Sequence, residues 1–131
     1  MGGNATFPKR ERLVSNKLMD LLFTGGWSKS TAAFPIRMVF MEIPKTEKNE
    51  SIQVLMSVSK RHFKHAVDRN RVKRQLRETF RLNRQLLDPA IENHADRTLV
   101  IAFIWMTNRL QPTERVDSCM KKLLTHLTEK L

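Results

Sequence analysis

The sequence predicts one α+β domain in which helices pack on a mixed β-sheet, and three kinds of pattern carry this prediction. Two stretches alternate along the chain with the period of two that is typical of strands. An almost continuously apolar run, Leu99 to Met106, is typical of a central strand covered on both faces. Other stretches repeat apolar residues at helical spacing. The elements follow the order α-β-β-α-β-α, and 131 residues suffice for one core of this kind.

The first half of the chain supplies a short helix and a strand. We expect Ser15 to be the N-cap of a helix that ends at Gly25-Gly26 and whose apolar positions are Leu18, Met19, Leu22 and Phe23. The first strand is expected from about Phe34 to Met41, and Pro35 indicates its beginning or an edge position.

A charged loop, Lys45 to Ser51, leads to a second alternating strand, Ile52 to Ser59. The following helix is expected to be capped by Asp68 and to run to about Leu86, with Pro89 just beyond it. The last helix has Pro112 in its first turn and apolar positions at Val116, Met120, Leu123, Leu124 and Leu127.

Charge is the strongest feature of the composition. The chain carries a net charge of +11, and residues 60–84 hold ten basic and two acidic residues, so this segment alone contributes +8. Such an excess requires a polyanionic partner, which means nucleic acid or an anionic membrane surface.

The helix after Asp68 places its charges on one side. At about 100° per residue, Val72, Leu76 and Phe80 form a narrow core stripe, and a different face carries Asn70, Lys73, Arg74, Arg77, Arg81 and Arg84. Like charges at this spacing repel one another, and Glu78 is the one glutamate available to relieve them. A solvated basic helix is the first alternative. Membrane binding is the second, but the face that would insert is the one the core needs. Arginine's planar fork favours phosphate, so we interpret the helix as a nucleic-acid contact.

The sequence offers no catalytic set of its own. The four histidines do not group at metal-ligand spacing, Cys119 is interpreted as a small buried hydrophobe, and the acidic residues are scattered. A single cysteine, no apolar stretch of signal-peptide length and no run near the roughly 18 apolar residues of a membrane helix favour a cytoplasmic protein.

One segment carries a family resemblance. Residues 57–61, Ser-Val-Ser-Lys-Arg, are followed by Phe63, by Ala66-Val67 and by Arg69-Asn70-Arg71, and then by Val72-Lys73-Arg74 with Leu76-Arg77. This stretch resembles the signature of the bacterial ribonuclease P protein component, and the agreement in order and length extends over roughly residues 8–127. The resemblance implies an α-β-β-β-α-β-α two-layer sandwich like domain 2 of ribosomal protein S5, with an extra strand near Trp27 to Ser30 and a left-handed βαβ crossover. Residues 1–131 would form one domain, with 1–12 as a flexible basic arm.

The resemblance also implies a function. In that family the protein assists a catalytic RNA that removes the 5′ leader of precursor tRNA with Mg²⁺ bound mainly by the RNA. The expected partners are the catalytic RNA and precursor tRNA, with no membrane and no required protein partner. The residues expected to bind the catalytic RNA are Lys60, Arg61, Lys64, Arg69, Asn70, Arg71, Lys73, Arg74, Arg77 and Arg81.

A cleft between the first helix and the sheet would take the single-stranded leader, and the matching positions are Met19, Phe23 and Phe40. Met19 departs from the family, which has an aromatic residue there, and Trp27 is an alternative stacking partner. Plain core packing is an equal alternative for Met19 and Phe23. Arg10 and Arg12 are either phosphate contacts or part of a disordered tail. Two other functions stay open: an RNA-binding module without a linked enzyme, and a self-sufficient nuclease, which would need carboxylates that the sequence does not group.

Overall fold

The computed structural model describes residues 16–24, 26, 28–45 and 51–131, and of residues 16–18 the backbone alone. Its elements are α1 (Asn16–Thr24), β1 (Lys29–Ala33), β2 (Ile36–Pro44), β3 (Ile52–Ser57), α2 (Ala66–Asn83), α3 (Asp88–Asn93), β4 (Arg97–Trp105) and α4 (Thr113–Lys130). The predicted order α-β-β-β-α-β-α is confirmed, with the short helix α3 added before β4. The expected arm, residues 1–12, and the expected cap Ser15 lie outside the described residues, as does Trp27.

The four strands form one mixed sheet in the order β1-β2-β4-β3. β2 pairs antiparallel with both β1 and β4, whereas β3 and β4 are parallel. Helix α2 lies between β3 and β4 in the chain, so these three elements form the expected βαβ unit; its left hand stays a prediction. β4 is flanked by two strands, and eight of its nine residues are buried or half-buried, as its continuous apolar run predicts.

The main core lies between one face of the sheet and the helices α2 and α4. Phe80 of α2 and Phe103 of β4 pack there with ring centroids 5.7 Å apart and planes tilted by 53°. The apolar positions predicted for α4, from Val116 to Leu127, are all buried in this core. Cys119 is buried there as well, at 8% exposure, which confirms its interpretation as a small hydrophobe.

A smaller core lies on the opposite face of the sheet, where α1 packs. Leu22 of α1 is fully buried against Val39 and Met41 of β2 and Val100 and Ala102 of β4. Since side chains of a strand alternate between its two faces, the neighbouring Met38 and Phe40 point into the main core instead. β2 therefore buries apolar residues on both faces.

Several predicted boundaries were wrong. Asp68 does not cap α2, which begins at Ala66 after His65 in extended backbone, and Asp68 lies in its first turn. The α-helix itself ends at Asn83, but a 3-10 turn continues the helical backbone to Leu87, in agreement with the predicted end at about Leu86. Pro89 lies in the first turn of α3, a position where its missing N–H costs no hydrogen bond.

Two further prolines also shift the elements. β2 begins at Ile36 because Phe34 and Pro35 form the turn after β1. Pro112 is the residue before α4 rather than part of its first turn. The extra strand predicted near residues 27–30 exists, but it covers Lys29–Ala33.

Candidate nucleic-acid interface

The loop before α2 is a compact turn that projects three cations. The carbonyl oxygen of Ser59 accepts hydrogen bonds from the backbone N–H of His62, at 3.1 Å, and of Phe63, at 3.2 Å. The ring of Phe63 is buried in the main core, and this anchors the loop. The lysine and arginine side chains of this loop, those of Lys60, Arg61 and Lys64, are all exposed.

Arg69 holds this loop against the start of α2. Its Nη1 donates to the carbonyl oxygens of Phe63, at 2.8 Å, and of Lys64, at 3.0 Å. The side chain is half-buried, and at about 100° per residue it lies on the same arc of the helix as Leu76 and Phe80. The Nη1 group of this guanidinium is therefore engaged by the protein's own backbone.

The outer face of α2 carries the remaining cations. Asn70, Arg71 and Arg74 are exposed, while Lys73 and Arg77 are half-buried. Arg77 also makes an interaction within the protein. Together with the three loop cations and Arg69 these residues form what we call the basic surface: Lys60, Arg61, Lys64, Arg69, Asn70, Arg71, Lys73, Arg74 and Arg77.

Two buried amides fix the rotation of α2, and with it the direction of the basic surface. Nε2 of Gln75 donates to the carbonyl oxygen of Gln111 at 2.9 Å and to Oγ1 of Thr113 at 3.2 Å. Nδ2 of Asn83 donates to Oδ1 of Asp117 at 2.7 Å. Because a buried polar group that loses its partner is costly, both contacts hold α2 in one orientation.

Arg81 is placed differently from the other predicted contacts. It is paired with Glu78, one turn away, through both Nε and Nη2. This hydrogen-bonded pair lowers the pKa of the Glu78 carboxyl and raises the pKa of Arg81. The acid expected to relieve the repulsion on this face therefore neutralises Arg81, at the far end of the helix from Asn70.

A second concave surface lies between α1 and the sheet. A cavity of about 280 Å³ is lined by Leu22, Phe23, Ser28, Ser30, Arg37, Val39 and Ile104. Phe23 is 48% exposed, so its ring borders the cavity without being part of a core. Met19 is half-buried and packs against the smaller core. We call this cavity and its lining residues the α1 cleft.

The comparisons with known proteins agree with this geometry. The sequence profile of the Ribonuclease P family matches residues 7–128. The chain belongs to the ribonuclease P protein family. A ribonuclease P protein component from Porphyromonas gingivalis is 33% identical over 129 residues, which are 97% of this chain and 91% of that protein. One from Chlorobium phaeobacteroides is 37% identical over 60% of this chain and 54% of its own length.

Solved structures of ribonuclease P proteins have the same fold. The protein from Thermotoga maritima superposes with a TM-score of 0.64 at 20% identity, over 88% of this chain and 96% of that one. The protein from Staphylococcus aureus gives a TM-score of 0.62 at 18% identity, over 89% and 94%. The α+β sandwich predicted for a ribonuclease P protein is thus confirmed, and a role in the ribonuclease P complex follows from family membership.

One residue predicted for the leader-binding cleft of ribonuclease P is misplaced. Phe40 is buried at 4% exposure in the main core, on the face of the sheet opposite α1. It therefore does not join Met19 and Phe23, and its assignment to the cleft is wrong. The residues of β2 that do line the cleft are Arg37 and Val39, and sequence analysis missed the role of Arg37. Its even spacing from Val39 and Met41 places Arg37 on their face of the strand, because side chains two apart share one face, but only the packing of Leu22 shows that this face meets α1.

The described residues contain no group of three or more histidine, cysteine, aspartate or glutamate side chains that could hold a metal ion. Nδ1 of His94 lies 3.1 Å from Oε2 of Glu42. This pair is at the opposite end of the sheet from the basic surface. Within the same part of the chain, no helix has the length and apolar character needed to cross a membrane.

Proposed function

We propose that this chain assists the catalytic RNA of ribonuclease P in removing the 5′ leader of precursor tRNA. The basic surface binds the catalytic RNA, and the α1 cleft holds the leader. The RNA carries the endonucleolytic chemistry, and the complex works in the cytoplasm. The observation that carries the proposal is the direction of the basic surface: its exposed cations face away from both cores.

The charges on the basic surface support RNA as the partner. The exposed Arg71 and Arg74 lie in α2, directly after the loop that carries the exposed cations. Glu78 pairs with Arg81 rather than with either of them. Guanidinium groups bind phosphate oxygens in bidentate fashion, and each neutralised phosphate releases bound counterions. A surface of this kind binds a folded polyanion and gives an affinity that falls steeply with salt.

We further propose that Mg²⁺ in this complex is bound mainly by the RNA. Mg²⁺ prefers oxygen ligands such as carboxylates and phosphates, whereas the surface proposed to meet the RNA is cationic. When bound, the ion stabilises charge that develops on a reacting phosphodiester. This chain then contributes by binding and orienting RNA. Its partners are the catalytic RNA and precursor tRNA.

The decisive experiment compares three mixtures at low Mg²⁺. Precursor tRNA is incubated with this protein alone, with a bacterial ribonuclease P RNA alone, and with both, and release of the 5′ leader is followed on a gel. Cleavage only in the complete mixture, or a large stimulation there, is the expected result. Cleavage by the protein alone would instead make it a nuclease, and binding without stimulation would make it an RNA-binding module.

A matched pair of variants tests the surface. The double substitution Arg71→Gln with Arg74→Gln removes two charges from the basic surface, and Lys122→Gln with Lys130→Gln removes two exposed charges from α4. We expect the first pair to lose affinity for the catalytic RNA and the second to keep it. Equal losses in both would show that net charge, rather than this surface, binds the RNA.

A further inference from the structure

We propose that Arg37 binds a phosphate group of the single-stranded leader inside the α1 cleft, beside the ring of Phe23. This inference rests on the proposed function and adds to it an ionic contact that the family resemblance did not assign. The expected ligand is one nucleotide unit of single-stranded RNA, held by its phosphate and its base.

The sheet fixes where Arg37 stands. In the strand register Arg37 of β2 lies between Ala32 of β1 and Ile104 of β4. It shares the α1 side of the sheet with Val39, whose side chain is buried against Leu22. The side chain of Arg37 itself is exposed, so it rises from the floor of the cleft with its guanidinium accessible to solvent.

The protein leaves this guanidinium almost without a partner. The one polar contact the described residues give it is from Nη2 to Oγ of Ser30, at 3.5 Å, which is at the long limit of a hydrogen bond. None of the described residues that line the cleft is acidic. A cation placed among apolar side chains and two serines, with no carboxylate beside it, is suited to an anionic ligand.

The other lining residues indicate which anion. The ring of Phe23 offers a face on which a base can stack, a contact that does not depend on base identity. Ser28 and Ser30 offer hydroxyl groups that can donate to phosphate or sugar oxygens. The volume of about 280 Å³ is just below the usual range of ligand pockets, which suits one nucleotide rather than several.

This arrangement predicts that binding of the leader by this chain depends on salt concentration. Met19, half-buried at the edge of the smaller core, offers no aromatic face. Arg37 compensates through charge, so the part of substrate affinity that comes from the leader is expected to depend on salt. One phosphate contact on a single strand contributes about 0.7 to the slope of log K against log salt.

The test uses the protein reconstituted with a bacterial ribonuclease P RNA and compares the affinity for precursor tRNA and for mature tRNA. Arg37→Gln is expected to weaken binding of precursor tRNA about 10-fold, as for a lost hydrogen bond to a charged group, and to leave mature tRNA unchanged. Arg37→Lys is expected to keep most of the affinity. Arg97→Gln removes another exposed charge, seven residues along β4 from Ile104, and should affect neither substrate.

A second measurement locates the contact. Leaders with a neutral methylphosphonate at one position at a time should weaken binding to the wild-type complex at one position, and that sensitivity should disappear in Arg37→Gln. Equal loss for precursor and mature tRNA, or uniform sensitivity along the leader, would overturn the inference. If the wild-type protein neither stimulates the RNA nor distinguishes precursor from mature tRNA, the proposed function itself fails, which is a separate outcome. If Arg37→Gln does not fold, the methylphosphonate series on wild-type protein still overturns the inference when no single leader position is sensitive.

Discussion

The guanidinium of Arg69 donates a hydrogen bond from Nη1 to the carbonyl oxygen of Phe63 at 2.8 Å, across the turn that precedes α2. The same atom also donates to the carbonyl oxygen of Lys64 at 3.0 Å. A residue that sequence analysis assigned to RNA contact thus also positions the loop whose exposed cations are Lys60, Arg61 and Lys64. Its direct contact with RNA stays a prediction.

We therefore expect Arg69→Gln to lower the free energy of unfolding by about 1–2 kcal/mol, since it removes hydrogen bonds donated by a charged group. Urea denaturation measures this loss, and amide hydrogen exchange should become faster in residues 59–65. Unchanged exchange in that loop would contradict a positioning role.

Arg74→Gln provides the contrast, because Arg74 is exposed and the described residues give it no polar partner. Its loss should leave stability within about 0.5 kcal/mol of wild type. The slope of log K against log salt for RNA binding should become shallower by about 0.7–0.9, the value for one phosphate contact. For Arg69→Gln we expect weaker binding with a smaller change of slope than for Arg74→Gln, because part of its guanidinium is held by backbone carbonyl oxygens. A reversed pattern would assign the phosphate contact to Arg69.

Glu78→Gln should strengthen RNA binding. The substitution removes the carboxylate that pairs with Arg81 and so leaves that cation available to phosphate. We expect a few-fold gain in affinity at low salt and a steeper salt dependence, measured by titration at several salt concentrations. Glu92→Gln, which removes an exposed acid from α3, is the control. An equal gain in both variants would show a general effect of net charge.

Phe23→Ala should act on the leader and little on the fold, because half of the side chain is already exposed. Base stacking on an aromatic ring is worth about 1–3 kcal/mol, so affinity for precursor tRNA should fall roughly 10- to 100-fold while mature tRNA binds as before. Leu22→Ala is the comparison: Leu22 is fully buried, and its loss should lower the melting temperature strongly. A similar drop in melting temperature for Phe23→Ala would mean that its ring serves the core.

Because of Asp117, we expect the free energy of unfolding to depend on pH. The hydrogen bond from Asn83, with a further contribution from Lys121, holds the pKa of Asp117 below its ordinary value of 3.8 despite partial burial. The unfolded chain then takes up the proton more readily than the folded one. The stabilisation is complete above the ordinary pKa and is lost as pH falls through the lower pKa of the folded state.

The variant Asp117→Asn isolates this effect. The difference in free energy of unfolding between wild type and variant should be largest above about pH 5 and should shrink as the pH falls through 3.8 and below, as measured by urea denaturation. A difference that stays constant over this range would show that the pKa of Asp117 is the same in both states.

Local patterns were sufficient for much of the fold. The helical period placed Val72, Leu76 and Phe80 in the core, and the structure buries all three completely. The same period placed Asn70 and Arg74 on the outside, where they are exposed. These features depend on the geometry of one helix, which repeats every 3.6 residues wherever the helix lies.

The prediction for Phe40 was wrong for a reason that the sequence could not supply. Residues 38–41 of β2 are apolar on both faces, so alternation shows that Phe40 and Val39 point apart without showing which of them meets α1. Only the packing of Leu22 against Val39 and Met41 decides it.

By itself, the sequence determined the order of the elements other than β1 and α3, the core stripe of α2 and the concentration of positive charge in residues 60–84, since each depends on residues that are near one another in the chain. The tertiary structure decided which cations stay available. It brought Arg69 to backbone carbonyl oxygens and placed Arg37 beside Phe23. It also fixed the rotation of α2 about its axis through contacts such as that of Gln75 with Gln111, 36 residues away. Such relationships join distant parts of the chain, and they arise only when burial of both faces of the sheet brings those parts together.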